Sequence, residues 1–301
     1  MIINRDIGFF SLLFSCEGSI VIPISGKILG GIVAGFVASI MSYYEHPLQY
    51  DFTVFTVFGV ALSLFLGFRN KACYDRWWEG RKQWGAYVIA VRNLGRMLNT
   101  VAKDSPETTQ ILHLISAHAH ALRHQLRGDK SAVAIRDRLL PPDSAGAIIT
   151  SRNPADALLN EASLCLGRLH ASGDIDSIQQ LGIHNHISEI GFVQGACERI
   201  QTTPLPFPYV LLVHRTVVAY ILLTPFALVQ TCGWFTPLLM GIISYFFFGL
   251  EEISSQLMMP FTTSVHALSL EALCRTIDIS INMALGEPQE EPLKPHGSVL
   301  M

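Results

Sequence analysis

The chain has 301 residues, 50% of them hydrophobic and 15% charged, with a formal net charge of −3. Soluble domains carry about 25% charged residues, so this composition, with a mean hydropathy of +0.37, points to a membrane protein with a substantial water-exposed part. The near-neutral balance excludes a polyanion binder, so no nucleic acid is expected as a partner. The six cysteines, none in CxxC spacing, exclude a disulfide framework or zinc site and read as small buried apolar residues.

The N-terminal stretch MIINRDIGFFSLLFSCEGSI is interrupted by Arg5, Asp6 and Glu17 and has no small-residue cleavage site, so it is not read as a signal peptide. Ile28–Tyr44 and Phe52–Phe68 are each 17 residues without a charge, and Thr216–Leu250 is 35. A bilayer core of about 30 Å needs about 20 helical residues, with 17 near the lower limit. The first two segments therefore span, with interfacial residues included. The third is too long for one span, and Cys232-Gly233-Trp234-Phe235-Thr236-Pro237 reads as a tight turn within it. It divides into Pro208–Thr231 and Thr236–Leu250, which makes four expected spans. The loop Glu45–Asp51 has two acids and no Lys or Arg, whereas Lys27, Arg69, Lys71, Arg76 and Arg199 flank the opposite ends. The positive-inside rule then places both termini and the long middle segment in the cytoplasm.

That middle segment, 70–203, is too polar for lipid. Ala86–Val101, Thr108–Leu126 and Pro154–Ala171 show helical apolar spacing. Ser131–Pro142 and Gly182–Ile200 are further helix candidates, and no strand alternation stands out. The predicted organisation is 1–69 (N-terminal segment and first two spans), 70–203 (helical cytosolic domain), 204–250 (a proline-rich loop and two spans), 251–285 (cytosolic C-terminal helices) and a disordered tail from 286.

Several groups carry candidate chemistry. Val60, Leu64 and Phe68, spaced i, i+4, i+8, drift only about 40° per step on a helix and form one narrow stripe. The stripe faces lipid, another helix or, if several copies surround an axis, a water path; apolar rings of that kind gate by dewetting. In GFRNKACYDRWWEGRKQWG, residues 67–85, the uncharged helix continues without proline into charges and aromatics, among them Arg76, Trp77 and Trp78. Trp84 lies about 24 Å beyond Phe68 by helical rise, too far for an interfacial belt, and is expected to pack on other helices. His214 and Arg215 lie inside an apolar segment, where ionisable groups are functional candidates by default; the alternative is a structural ion pair with Glu251 or Glu252. In TTPLPFPY three prolines in five residues exclude a regular helix around Leu205. The cluster His113, His118, His120 and His124 has no acidic neighbour in sequence, so no metal and no cofactor is expected.

The motifs GFRNKACYDRWWEGRKQWG (67–85), ALRHQLRG (121–128), PLPFPY (204–209), HRTVVAY (214–220), GLEEISSQLMMPF (249–261) and LEALCRTIDI (270–279) together resemble the bestrophin family in its bacterial branch. The resemblance implies an all-α membrane protein with four transmembrane helices and a helical cytosolic domain, assembled as a homopentamer around one central pore. It implies a hydrophobic neck at Val60, Leu64 and Phe68 and a cytosolic aperture at Leu205. It also implies a channel for monovalent ions in the bacterial inner membrane, with membrane lipid and further copies of itself as partners. The bacterial branch favours cations narrowly over chloride. The usual Trp–basic–Gly-Ser motif reads Cys16-Glu17-Gly18-Ser19 here, and Ile253–Leu270 has no carboxylate. Calcium takes six to eight oxygen ligands, so no calcium gate of the animal kind is expected.

Two other classes compete. A non-conducting membrane subunit would dock a cytosolic partner through the charged face at 79–85. A membrane enzyme would use His214, Arg215 and the cytosolic histidines, but no GxSxG, Walker A, GxGxxG or HExxH motif is present.

Overall fold

The computed structural model describes residues 18–44, 52–129, 148 and 151–295. Among them the structure is helical and contains no strand. The helix candidate at Ser131–Pro142, the loop at 45–51 and the Cys16-Glu17 motif lie outside the described residues. The helices are α1 (Val21–Tyr44), α2 (Phe52–Val101), α3 (Pro106–Arg127), α4 (Pro154–Ala171), α5 (Ser177–Thr202), α6 (Phe207–Cys232), α7 (Thr236–Leu257) and α8 (Leu270–Leu285). They fall into two compact units. One gathers the described residues up to Trp77 together with Pro204–Met259, and the other gathers Trp78–Thr203 with residues from Pro260 onward.

Helix α2 contributes to both units. No proline or helix-stopping cap interrupts Phe52–Val101, and at 1.5 Å per residue its 50 residues extend about 75 Å. Helix α1 begins at Val21, not at Ile28, so Lys27 lies within it. By length and composition, Val21–Tyr44, Thr53–Val101 and Phe207–Leu257 each contain a stretch able to cross a membrane.

In the first unit α7 packs on α1 and folds back along α6. The turn between α6 and α7 is a short 3-10 segment, Gly233–Phe235. Gly233 stands at φ +50, a conformation that glycine adopts without a Cβ clash. Its carbonyl accepts a bond from Thr236 Oγ1 at 2.7 Å, which closes the turn. The α1–α7 contact is close because Gly31 and Gly35 face it. A Cβ on Gly35 would stand 2.7 Å from Pro237 Cα, and one on Gly31 would collide with Ser244. Small residues four apart let membrane helices approach in this way. The core is Ile24 from α1, Leu62 and Leu66 from α2, Val213, Val217, Ile221 and Leu228 from α6, and Met240, Phe247 and Phe248 from α7. Helix α7 runs seven residues beyond Leu250, carrying Glu251 and Glu252 in helical register.

The second unit is a helical bundle. Helix α3 packs against α4 and α8, and α4 packs against α5. Asp176 and Gln179 form a reciprocal capping box at the start of α5, which fixes where that helix begins. Trp84 is fully buried beside Tyr87, with ring centroids 5.8 Å apart. Residues 286–295 follow α8 without helix and are largely exposed; Asn282 Nδ2 donates to Pro288 O at 3.2 Å.

Candidate functional site

Helix α2 presents two unlike faces in the membrane-type unit. Leu62, Leu66, Arg69 and Cys73 are buried. Val60, Leu64 and Phe68 are 65%, 58% and 60% exposed. The stripe is thus a face that the fold of one chain leaves uncovered. The uncovered surface extends to Val57, Phe58 and Phe65, so it is broad and uncharged, with Thr56 exposed one turn before Val60.

Leu205 sits half-buried in the short link between α5 and α6. The link cannot be helical because Pro204 and Pro206 lack the N–H that a helix interior uses. Pro206 instead caps α6: its carbonyl accepts from Tyr209 N at 3.0 Å and Val210 N at 3.3 Å. Tyr209 Oη then reaches Phe65 O at 3.4 Å, tying the start of α6 to α2 beside Leu64.

Three basic side chains of this unit converge on Glu251. His214 Nδ1 is 2.6 Å from Glu251 Oε1. Arg69 Nη1 lies 3.9 Å from the same oxygen, and Lys27 Nζ lies 3.9 Å from Oε2. Glu251 and Arg69 are both buried, whereas His214 and Lys27 are partly exposed. Glu252 is not in this group; it accepts from Gln256 Nε2 at 2.8 Å. Arg215 is exposed on α6. Next to the cluster, Ser254 Oγ donates to Asn70 Oδ1 at 2.7 Å, so α7 is pinned to α2 a second time. Arg76 Nε donates to Met258 O at 2.8 Å, a third link, near the end of α7. Trp77 stacks on Tyr74 with centroids 6.4 Å apart, and Trp78 is exposed. Lys27, Arg69, Asn70 and Ser254 escape sequence reasoning because their partners are far away along the chain. The signal available was the position of Lys27 and Arg69 at the ends of uncharged runs.

The histidines of α3 are held one by one. His118 is fully buried, its Nδ1 bonded to Tyr87 Oη and its Nε2 3.0 Å from Gln194 Oε1. The amide oxygen of Gln194 can only accept, so Nε2 carries the proton and Nδ1 accepts from the tyrosine. Burial pushes the His118 pKa down from the usual 6.5 to about 4, against a smaller opposing effect of the Gln194 bond. His120 Nε2 meets Asp278 Oδ2 at 2.9 Å, and Ser116 Oγ donates to Asp278 Oδ1 at 2.6 Å. His124 Nδ1 lies 3.2 Å from Asp129 Oδ2. Among the described residues no three His, Cys, Asp or Glu side chains stand where they would hold a metal ion.

Residues 1–283 match the family described as bacterial/fungal bestrophin protein. A voltage-dependent anion channel-forming protein of Mesorhizobium japonicum is 39% identical over 290 residues, covering 95% of this chain and 93% of that protein. The voltage-dependent anion channel-forming protein of Escherichia coli is 32% identical over 296 residues, covering 98% and 97%. The crystal structure of a bacterial bestrophin homologue from Klebsiella pneumoniae superposes with a TM-score of 0.83 at 33% identity, covering 88% of this chain and 99% of that one. This chain belongs to the bacterial and fungal bestrophin family.

Proposed function

We propose that the chain is the subunit of an ion channel in which several copies, five by family resemblance, surround one axis. The observation that carries this reading is the uncovered apolar face of α2. In each copy Val60, Leu64 and Phe68 stand exposed while the opposite face of the same helix is core. Copies arranged with that face inward would stack three apolar rings over about 12 Å, the rise of eight helical residues. Such rings hold a constriction that empties of water when narrow. Leu205, in its rigid proline link, would supply a second constriction. The relatives bear the names of channel-forming proteins, which supports conduction; the chain is not an enzyme.

The membrane part would be α1, the first third of α2, α6 and α7, giving four crossings. The Lys and Arg distribution supports cytoplasmic termini, and the bacterial relatives support the inner membrane. Calcium gating has no acidic run to support it. Two indications of the ion's sign disagree. Family resemblance favoured cations, whereas the relatives' names point to anions. The stripe carries no charge and favours neither. The test is single-channel recording of the Val60→Ala/Leu64→Ala/Phe68→Ala variant. Wider rings predict a larger unitary current or a higher open probability. Unchanged amplitude and open probability would remove these residues from the path. A wild-type protein that assembles but passes no ion, with the alanine variant equally silent, would favour the docking subunit instead.

A further inference from the structure

The uncharged stripe supplies a barrier without a sign, so discrimination must come from the first charges that share its face. Four charged side chains follow Phe68 within two turns: Arg69, Lys71, Asp75 and Arg76. At about 100° per residue from Val60, Arg69 and Arg76 fall at about 180° and 160°, on the opposite face. The structure agrees: Arg69 is buried, and Arg76 is half-buried and bonded to Met258 O. Lys71 and Asp75 fall at about 20° and 60°, inside the arc of about 80° from Val60 to Phe68. Their side chains are 69% and 55% exposed, and they pair with each other at i, i+4. Lys71 also lies over the Tyr74 ring, 6.0 Å from its centroid, which holds the ammonium near the helix surface. By helical rise the two α-carbons stand about 4.5 and 10.5 Å beyond Phe68. The nearer lies well inside the Debye length of about 10 Å at about 0.1 M salt and the farther at about that length, so an ion leaving the last apolar ring feels both.

We infer that Lys71 and Asp75 form a charge filter at the mouth of the apolar constriction, and that the balance between them sets which sign of ion passes. This rests on the channel reading given above. One cation and one anion per copy make the wild-type ring nearly neutral, so its discrimination is modest. Removing either partner leaves a ring of a single sign.

The experiment is the reversal potential of the purified protein in a planar bilayer under a KCl gradient, for wild type, Lys71→Gln, Asp75→Asn and the double variant. A unit charge about 6 Å from an ion in water changes its local concentration about threefold per copy. Lys71→Gln is therefore expected to raise the potassium-to-chloride permeability ratio at least about threefold, and Asp75→Asn to lower it by a similar factor. The double variant should return towards wild type. Raising the salt from about 0.1 M to about 1 M shortens the Debye length from about 10 to about 3 Å and should shrink both shifts. Both groups are exposed, so the variants are expected to assemble like wild type, checked by gel filtration. Conduction with both single variants at the wild-type ratio, or both shifted in the same direction, overturns the inference and leaves the channel reading standing. Absence of current in every protein overturns the channel reading and the inference with it.

Discussion

Glu251→Gln tests how the membrane-type unit is held together. Glu251 is the one carboxylate among Lys27, Arg69 and His214 in this cluster, and only Arg69 and Glu251 are both buried. The exposed members contribute little, since screened pairs are worth about 0–1 kcal/mol each. Arg69 is different. It is 2% exposed, and its Nε and Nη1 have no hydrogen-bond partner, so the nearby carboxylate is what offsets its burial. Two unit charges about 4 Å apart at an effective dielectric of about 20 interact by about 4 kcal/mol, and breaking buried pairs costs about 3–5 kcal/mol. Glutamine keeps the volume and an acceptor for His214 but removes the charge. The expected loss is about 3–4 kcal/mol, or about 6–16 °C in melting temperature at about 2–4 °C per kcal/mol. The assay is thermal unfolding in detergent followed by gel filtration. Arg69→Met/Glu251→Gln should recover most of the loss, because the orphaned cation is gone. If Glu251→Gln melts within about 2 °C of wild type, or if the double variant is worse than the single, the buried pair is not what stabilises this unit.

Gly35→Leu should separate α1 from α7, because the new side chain meets Pro237 backbone 2.7 Å away and backbone cannot yield; overpacking costs about 1–3 kcal/mol or more, read as lost folded yield, while Gly26→Leu, with open space around it, should be tolerated. Leu205→Ala should change conductance or relative permeability with α2 intact, and recordings identical to wild type would remove Leu205 from the path. For His118 the folded pKa of about 4 lies below the ordinary 6.5, so the unfolded chain binds the extra proton first. The stabilisation is complete above about pH 6.5 and is lost as pH falls towards 4, by about 3 kcal/mol in all. Denaturant midpoints across that window should slope with pH in wild type and flatten in His118→Gln; equal slopes would assign the pH dependence elsewhere.

Much of the helical architecture is legible in the sequence because it rests on local signals. Pro154 and Ala171 bound α4 as the apolar spacing predicts, and the Cys232–Pro237 break marks the turn where Gly233 adopts positive φ. The unbroken run without proline after Phe52 predicts a long helix, although its end at Val101 is not marked until Pro106. What depends on distant partners is less legible. The start of α1 ahead of Lys27 is masked by that charge, whose counterion is Glu251, more than 200 residues later. The α3 histidines have no acidic neighbour in their own helix; His120 finds Asp278 on α8, and His118 finds Gln194 on α5. The spacing of Val60, Leu64 and Phe68 is plain in the sequence, and the fold of one chain leaves all three exposed; on the channel reading proposed above, what they face is set by other copies of the chain.

The most direct measurement is the current carried by purified wild-type protein in a planar bilayer under a KCl gradient, alongside the Val60→Ala/Leu64→Ala/Phe68→Ala variant. A channel built on the α2 stripe predicts a current with a defined reversal potential, lying towards the potassium or the chloride limit according to the sign selected, and a larger unitary or mean current in the variant. Correctly assembled protein that carries no current in either form would contradict it.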